Sequence, residues 1–310
     1  MTDKIAIVGT GLIGRGWAIV FARAGYRTVL WDPTPGAVAA ALGEIEPRLV
    51  ELERHGLVAS ADQVRGRLSA ASSLEEAIDG VAYVQESAPE RVEVKAALFA
   101  EIDRMAPASA ILGSSVSAIP PSDFLVGVPG RARCLGVHPA NPPYLIPLVE
   151  LVPSRWTDPA AVEGARSLML KVGQKPILCR KEVPGFVLNR LQAAVINEAI
   201  HLVADGVADP ADVDATISEG LGLRWAFMGP FQTMDLNAPA GFKDYATRYG
   251  GTYQTLGEDL HVSDPWPAAT IDEIEAWRRA ATPSDEVGAR QFWRDRRMMA
   301  LARHKAEQES

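Results

Sequence analysis

Residues 5–32 limit what this chain can fold into more than any other stretch. Ile5-Ala6-Ile7-Val8 is a short apolar run that reads as a buried strand. Gly9-Thr10-Gly11-Leu12-Ile13-Gly14 follows it. Ile13, Trp17, Val20, Phe21 and Ala24 then recur at helical spacing up to Gly25. Thr28-Val29-Leu30-Trp31 predicts a second strand, and Asp32 ends it. This order of strand, G-x-G-x-x-G turn, helix and strand is the pattern of a dinucleotide cradle. Gly9 permits the tight turn, Gly11 lets backbone approach a pyrophosphate, and Gly14 lets the helix pack close to the sheet. Asp32 stands 23 residues after Gly9, near the roughly 20-residue spacing of an acid that binds the ribose hydroxyl. Its charge would repel a 2′-phosphate, and no arginine follows it, so NAD is favoured over NADP. A flavin dinucleotide uses the same turn and is not excluded by it.

The length of 310 residues suits one large or two medium domains, and the composition is ordinary for a soluble chain. The net charge of -8 argues against nucleic acid and anionic membrane surfaces as partners. Cys134 and Cys179 are too few for a disulfide scaffold or a cysteine zinc site, so no metal is expected and the expected setting is reducing and cytoplasmic. No apolar run approaches the roughly 18 residues of a membrane span.

Residues 36–57 read as helix, with Pro47 predicting a kink or two consecutive helices. Val81–Val84 predicts a strand, residues 92–105 a helix, and Ile111-Leu112 another strand that runs into Gly113-Ser114-Ser115-Val116-Ser117. Glu90 and Lys95 fit a ligand site at the carboxyl edge of the sheet and fit a local ion pair equally well. The small hydroxyl residues after Leu112 suit a site loop or a plain turn.

His138 follows the apolar run Cys134–Val137, and Glu150 lies inside another, Leu148–Val152, across a proline-rich connection. Two strands joined this way bring their polar residues together. A carboxylate on one imidazole nitrogen fixes the tautomer and raises the basicity of the other, which is what a general base needs. A buried structural histidine is the alternative. Asn189 falls on the first turns of a helix after Gly185, within reach of a ligand oxygen or simply ending the segment. The remainder is helical: residues 194–203, then a helix opened by Asp209 as N-cap and Pro210 at its first position. Arg224 is a single charge in the apolar stretch Gly220–Pro230 and suits either a small carboxylate or an ion pair. Arg278, Arg279, Arg294, Arg296 and Arg297 alternate with acids and read as solvated helix faces.

The chain resembles the 3-hydroxyacyl-CoA dehydrogenase superfamily, most of all the branch containing lambda-crystallin and L-gulonate 3-dehydrogenase. The residues that carry this are the glycine turn, APERVEVKAALF, HPANPPYLIPLVELVP, GFVLNRLQ, GLGLRWAFMGP and RQFWRDRRMMALARHK, which span essentially the whole sequence. The resemblance implies a Rossmann-type α/β domain over residues 1–183 and an all-helical substrate and homodimer domain over 184–310. It implies a catalytic set of Ser117, His138, Glu150 and Asn189. It implies NAD contacts at Gly9, Gly11, Leu12, Ile13, Gly14, Asp32, Glu90 and Lys95, and substrate contacts at Ser117, Asn141, Asn189 and Arg224. Ser115, Val116, Pro139 and Ala140 depart from the acyl-CoA enzymes' pattern, which favours oxidation of a small 3-hydroxy acid such as L-gulonate over a thioester. A 3-hydroxyacyl-CoA dehydrogenase, a carnitine-like alcohol dehydrogenase with Trp225 and Tyr144 available to a cation, and a crystallin-like structural protein are the alternatives.

Overall fold

The computed structural model describes residues 3–260 and 263–309. It forms two compact units, Met1–Asn189 with Gln291–Ser310, and Arg190–Arg290.

The first unit runs β1 (Lys4–Val8), α1 (Leu12–Arg23), β2 (Arg27–Trp31), α2 (Ala37–Arg54), α3 (Ala61–Arg65), β3 (Leu68–Ala70), α4 (Leu74–Ile78) and β4 (Tyr83–Glu86). It continues with α5 (Val92–Met105), β5 (Ile111–Ser114), α6 (Pro121–Leu125), β6 (Cys134–Pro139), β7 (Leu148–Pro153), α7 (Pro159–Lys171) and β8 (Lys175–Leu178). The eight strands make one sheet in the order β3-β2-β1-β4-β5-β6-β7-β8. All neighbours are parallel except β6 and β7. The strand order reverses between β1 and β4, and ligands of such sheets bind at that reversal, outside the carboxyl ends of the strands.

Alternation along β1 shows why the sheet is buried on both sides. Ile5 and Ile7 join a core with Trp17, Phe21, Ile45 and Leu49. Ala6 and Val8 join a second core with Phe99, Ile102 and Phe124. A parallel strand covered by helices on both faces has no polar side to show, so it reads as a continuous apolar run.

Two expectations need correction. Of the two outcomes expected at Pro47, two consecutive helices do not form: α2 runs through it as one helix. Pro47 and Gly43, four residues earlier, are both exposed, so the carbonyl that loses its partner faces water while Ala41, Ile45, Leu49 and Leu52 stay buried. Strand β4 lies two residues later than Val81–Val84 and includes Gln85 and Glu86, both buried and hydrogen-bonded. The elements α3, β3, α4 and α6 are too short to leave a periodic signal.

α8 (Leu188–Ala204) starts in the first unit and continues into the second. The second unit then holds α9 (Pro210–Ala215), a π-helical turn Thr216–Leu221, α10 (Gly222–Trp225), α11 (Pro230–Leu236), α12 (Phe242–Asp259) and α13 (Ala268–Ala281). Asp209 does precede Pro210 at the start of α9, but its side chain makes no capping hydrogen bond. The last helix is α14 (Val287–Glu309). From Gln291 onward it belongs to the sheet-containing unit, and Met299 is buried in that unit's core. The compact helical unit spans Arg190–Arg290.

Candidate active site

The glycine turn sits at the carboxyl end of β1. Gly9 has φ +93°, and a Cβ there would meet the Ser87 carbonyl oxygen at 2.7 Å. A Cβ on Gly14 would fall 1.9 Å from the Gly9 carbonyl oxygen. A Cβ on Gly11 would meet nothing within 4 Å. Gly9 and Gly14 are thus required by the fold, whereas Gly11 faces open space. No side chain caps α1 and no acid lies in its first turn, so its amides and positive dipole end are available to an anion. Asp32 closes the cradle. Its carboxylate accepts from the Thr10 amide at 2.8 Å, the Thr10 hydroxyl at 3.1 Å and the Thr34 amide at 2.9 Å. Partial burial alone would raise its pKa, but these bonds outweigh burial and hold the carboxyl below its ordinary value. The open face at Gly11, the uncapped helix and an ionised acid just after β2 fit NAD.

His138 and Glu150 face each other across the β6–β7 pair in direct register. His138 Nδ1 lies 2.7 Å from Glu150 Oε2. A carboxylate only accepts, so Nδ1 carries a proton, and in the neutral imidazole Nε2 holds the lone pair. Nε2 has no protein partner among the described residues. Phe186 packs edge-on against the imidazole at 5.7 Å. The other oxygen of Glu150 accepts from the Val187 amide at 2.9 Å and the Leu188 amide at 3.0 Å, at the start of α8. Burial would raise the Glu150 pKa; His138 and the two amides overcome it and hold the carboxyl below its usual range. Glu150 is fully buried, so it stays charged only because all these donors surround it. Cys179, also beside Glu150, has its thiol pushed up to about 11 by burial and by that carboxylate.

The next residue of α8 is Asn189, whose Nδ2 donates to the Ser117 carbonyl at 2.8 Å. His138, Glu150, the head of α8, Asn189 and the Ser117 loop are thus joined in one series of contacts. The Ser117 hydroxyl has no protein partner among the described residues, which leaves it for a ligand.

Glu90 and Lys95 are placed differently from a simple pair of cofactor contacts. Glu90 Oε1 accepts from the amides of Ser117, Ala118 and Ile119 at 2.9, 2.8 and 3.3 Å, so it holds the serine loop. Lys95 is buried, and its ammonium lies 3.0 and 3.1 Å from the two oxygens of Glu86. It is not paired with Glu90, and neither a solvated helix start nor an open crevice describes it. Asn141, at the head of the β6–β7 connection, is brought beside Leu12 and Arg15 of α1, where they line a small cavity of about 30 Å³. Arg224 lies on α10 of the helical unit. Tyr144, kept open for a cationic substrate, is buried with its hydroxyl given to Asp295.

Sequence reasoning missed a polar hub. Ser115 Oγ receives Trp17 Nε1 at 3.1 Å and Gln85 Nε2 at 2.8 Å, and lies 2.9 Å from Ser87 Oγ. The available signal was the pair Gln85-Glu86 directly after an apolar run.

A dinucleotide turn and an oriented imidazole lie at one edge of one sheet, which is the arrangement an NAD-dependent oxidoreductase needs. The comparisons with known proteins agree. The family model for the NAD-binding domain of 3-hydroxyacyl-CoA dehydrogenase matches residues 4–183, and that for its C-terminal domain matches residues 185–273. The chain is 42% identical to the lambda-crystallin homolog of Bos taurus, covering 97% of this chain and 95% of that one. It is 39% identical to the L-carnitine dehydrogenase of a Pseudomonas species, covering 96% and 92%. Among solved structures, an NAD⁺-dependent dismutase, 5-formyl-3-hydroxy-2-methylpyridine-4-carboxylic acid 5-dehydrogenase, superposes with TM-score 0.84, 28% identity and 98% coverage of both chains. The chain belongs to the 3-hydroxyacyl-CoA dehydrogenase family.

Proposed function

We propose that this protein oxidises the C3 hydroxyl of a small 3-hydroxy carboxylate, with L-gulonate as the first candidate. The observation that carries the reading is the 2.7 Å contact between His138 Nδ1 and the buried Glu150 carboxylate, which leaves Nε2 as the base. NAD⁺ bound at the glycine turn supplies the hydride acceptor. His138 Nε2 takes the hydroxyl proton, and Glu150 stabilises the resulting imidazolium. The Ser117 hydroxyl donates to the reacting oxygen. Asn189 holds the Ser117 loop with one amide hydrogen and keeps the other for the substrate. Leu12 and Ile13 offer backbone amides to the pyrophosphate, and Asn141 stands beside them. Glu90 and Lys95 support the cofactor edge through the loop and through Glu86.

L-carnitine is the second reading, favoured by the identity to the carnitine enzyme. Gulonate and carnitine both carry a 3-hydroxyl and a carboxylate, so the base and the proposed carboxylate clamp, Arg224, serve both. The crystallin relationship also admits a structural role, but such a role needs none of the hydrogen bonds that order His138. Exposed apolar side chains on the helical unit, Val207, Leu223, Phe231 and Leu236 among them, support a homodimer through that unit. The two free cysteines support a reducing, cytoplasmic setting.

The test is NADH formation by the purified protein on L-gulonate, L-carnitine and 3-hydroxybutyryl-CoA side by side. Turnover on gulonate above the other two supports the first reading, carnitine alone the second. Turnover on the thioester alone would remove the small-acid assignment. With the preferred acid, Arg224→Leu should raise KM, and an unchanged KM would return Arg224 to an ion-pair role.

A further inference from the structure

We propose that Asp295, near the far end of the chain, is a positioning residue for the His138–Glu150 pair, acting through Tyr144. This rests on the reading of His138 as the base. The connection that joins β6 to β7, residues 140–147, decides how the two members of the pair are held in register. Four contacts fix it. Tyr144 Oη donates to Asp295 Oδ2 at 2.6 Å, and both side chains are buried. Arg23 Nη1 donates to the Tyr144 carbonyl at 2.7 Å. Gln174 Nε2 donates to the Pro143 carbonyl at 3.3 Å. Pro143 lies so close to α1 that a Cβ on Gly16 would fall 2.6 Å from its Cδ.

The connection is therefore pressed between the cofactor helix α1 and the last helix α14. Asp295 is held for this role by its neighbour. Arg294 Nε and Nη2 donate to Asp295 Oδ1 at 2.9 and 2.7 Å, leaving Oδ2 for Tyr144. Met299, one helical turn on, anchors α14 in the core of the same unit. These residues lie beyond the matched C-terminal family domain, which ends at residue 273. A buried carboxylate costs free energy unless its partners repay it. Packing alone would be served as well by an apolar residue, so the pair Tyr144–Asp295 points to orientation.

The experiment compares Asp295→Leu, Asp295→Asn, Tyr144→Phe and His138→Gln in the full-length protein, reading kcat, NADH affinity and the pH dependence of kcat/KM. Leucine removes the acceptor at similar volume; asparagine keeps one. Asp295→Leu and Tyr144→Phe should each lower kcat by roughly tenfold or more, since small misplacements of a catalytic group are costly. Both should shift the acid limb of the pH profile and leave NADH affinity unchanged. Asp295→Asn should recover most of the rate. Should Asp295→Leu fail to fold, Tyr144→Phe, which loses one oxygen, decides alone. Wild-type kcat and pH profile in a folded Asp295→Leu or Tyr144→Phe protein overturn the proposal while the base reading stands, provided His138→Gln has lost turnover. Turnover that survives His138→Gln overturns both.

Discussion

His138 and Glu150 are directly opposed residues on the one antiparallel strand pair of the sheet, with Nδ1 and Oε2 2.7 Å apart. Residues opposed on adjacent strands point to the same face, so the register of β6 and β7 sets the two side chains against each other. The second oxygen of Glu150 then fastens the head of α8, which carries Asn189.

The glycines of the turn should separate fold from ligand. Gly14→Ala drives a Cβ into the Gly9 carbonyl, an overpacking that costs about 1–3 kcal/mol and should lower Tm. Gly11→Ala meets nothing in the protein. It should keep Tm and weaken NADH binding by tenfold or more, about 1.4 kcal/mol. Calorimetry and NADH titration read the two effects. Unchanged NADH affinity in Gly11→Ala would contradict the cradle.

The fold was legible in the sequence because it rests on local pattern, and most of the candidate site came from the resemblance that the longer motifs carry. Apolar runs of strand length, the three glycines and the positions of His138 and Glu150 need no tertiary knowledge. What stayed hidden depends on distant partners. Gln85 and Glu86 look like loop residues until Ser115 and Lys95 are seen beside them. Asp295 looks like one acid in a solvated face until Tyr144, 151 residues earlier, meets it. Pro47 looks like a break until its exposure shows that no buried hydrogen bond is lost.

Acid stability should carry the mark of two carboxyls. Asp32 and Glu150 are both held below their ordinary values. The unfolded chain protonates them at a pH where the folded chain does not. Their stabilisation is therefore complete above the ordinary carboxylate range of about 4, and is lost as pH falls through the lowered folded values. A series of Tm measurements against pH should show this fall, and Glu150→Gln should make it shallower. A variant with the wild-type acid slope would contradict the assignment.

Glu90 offers a choice between two roles. Three loop amides converge on its Oε1, and charge-assisted bonds are worth about 1.5–3 kcal/mol each at most. Glu90→Ala should lower kcat by roughly tenfold through the Ser117 loop, with NADH affinity nearly intact. Weakened NADH binding with normal kcat would make Glu90 a direct cofactor contact instead.

Lys95 and Glu86 form a fully buried ion pair. Removing one partner leaves an uncompensated charge, at a cost of about 3–5 kcal/mol. Urea unfolding of Lys95→Met should show a loss of that size. A loss below about 1 kcal/mol would mean that Ser114 and water satisfy Glu86 without the lysine.

The most direct test of the account is the turnover of His138→Gln beside its NADH affinity, measured on whichever 3-hydroxy acid the wild-type protein oxidises. Glutamine keeps a polar side chain of similar reach but cannot take the proton at neutral pH. Loss of the base should lower kcat by about 10²–10⁴ with NADH bound as tightly as before. A variant that turns over at near the wild-type rate would contradict it, and would leave the His138–Glu150 pair as a buried structural contact.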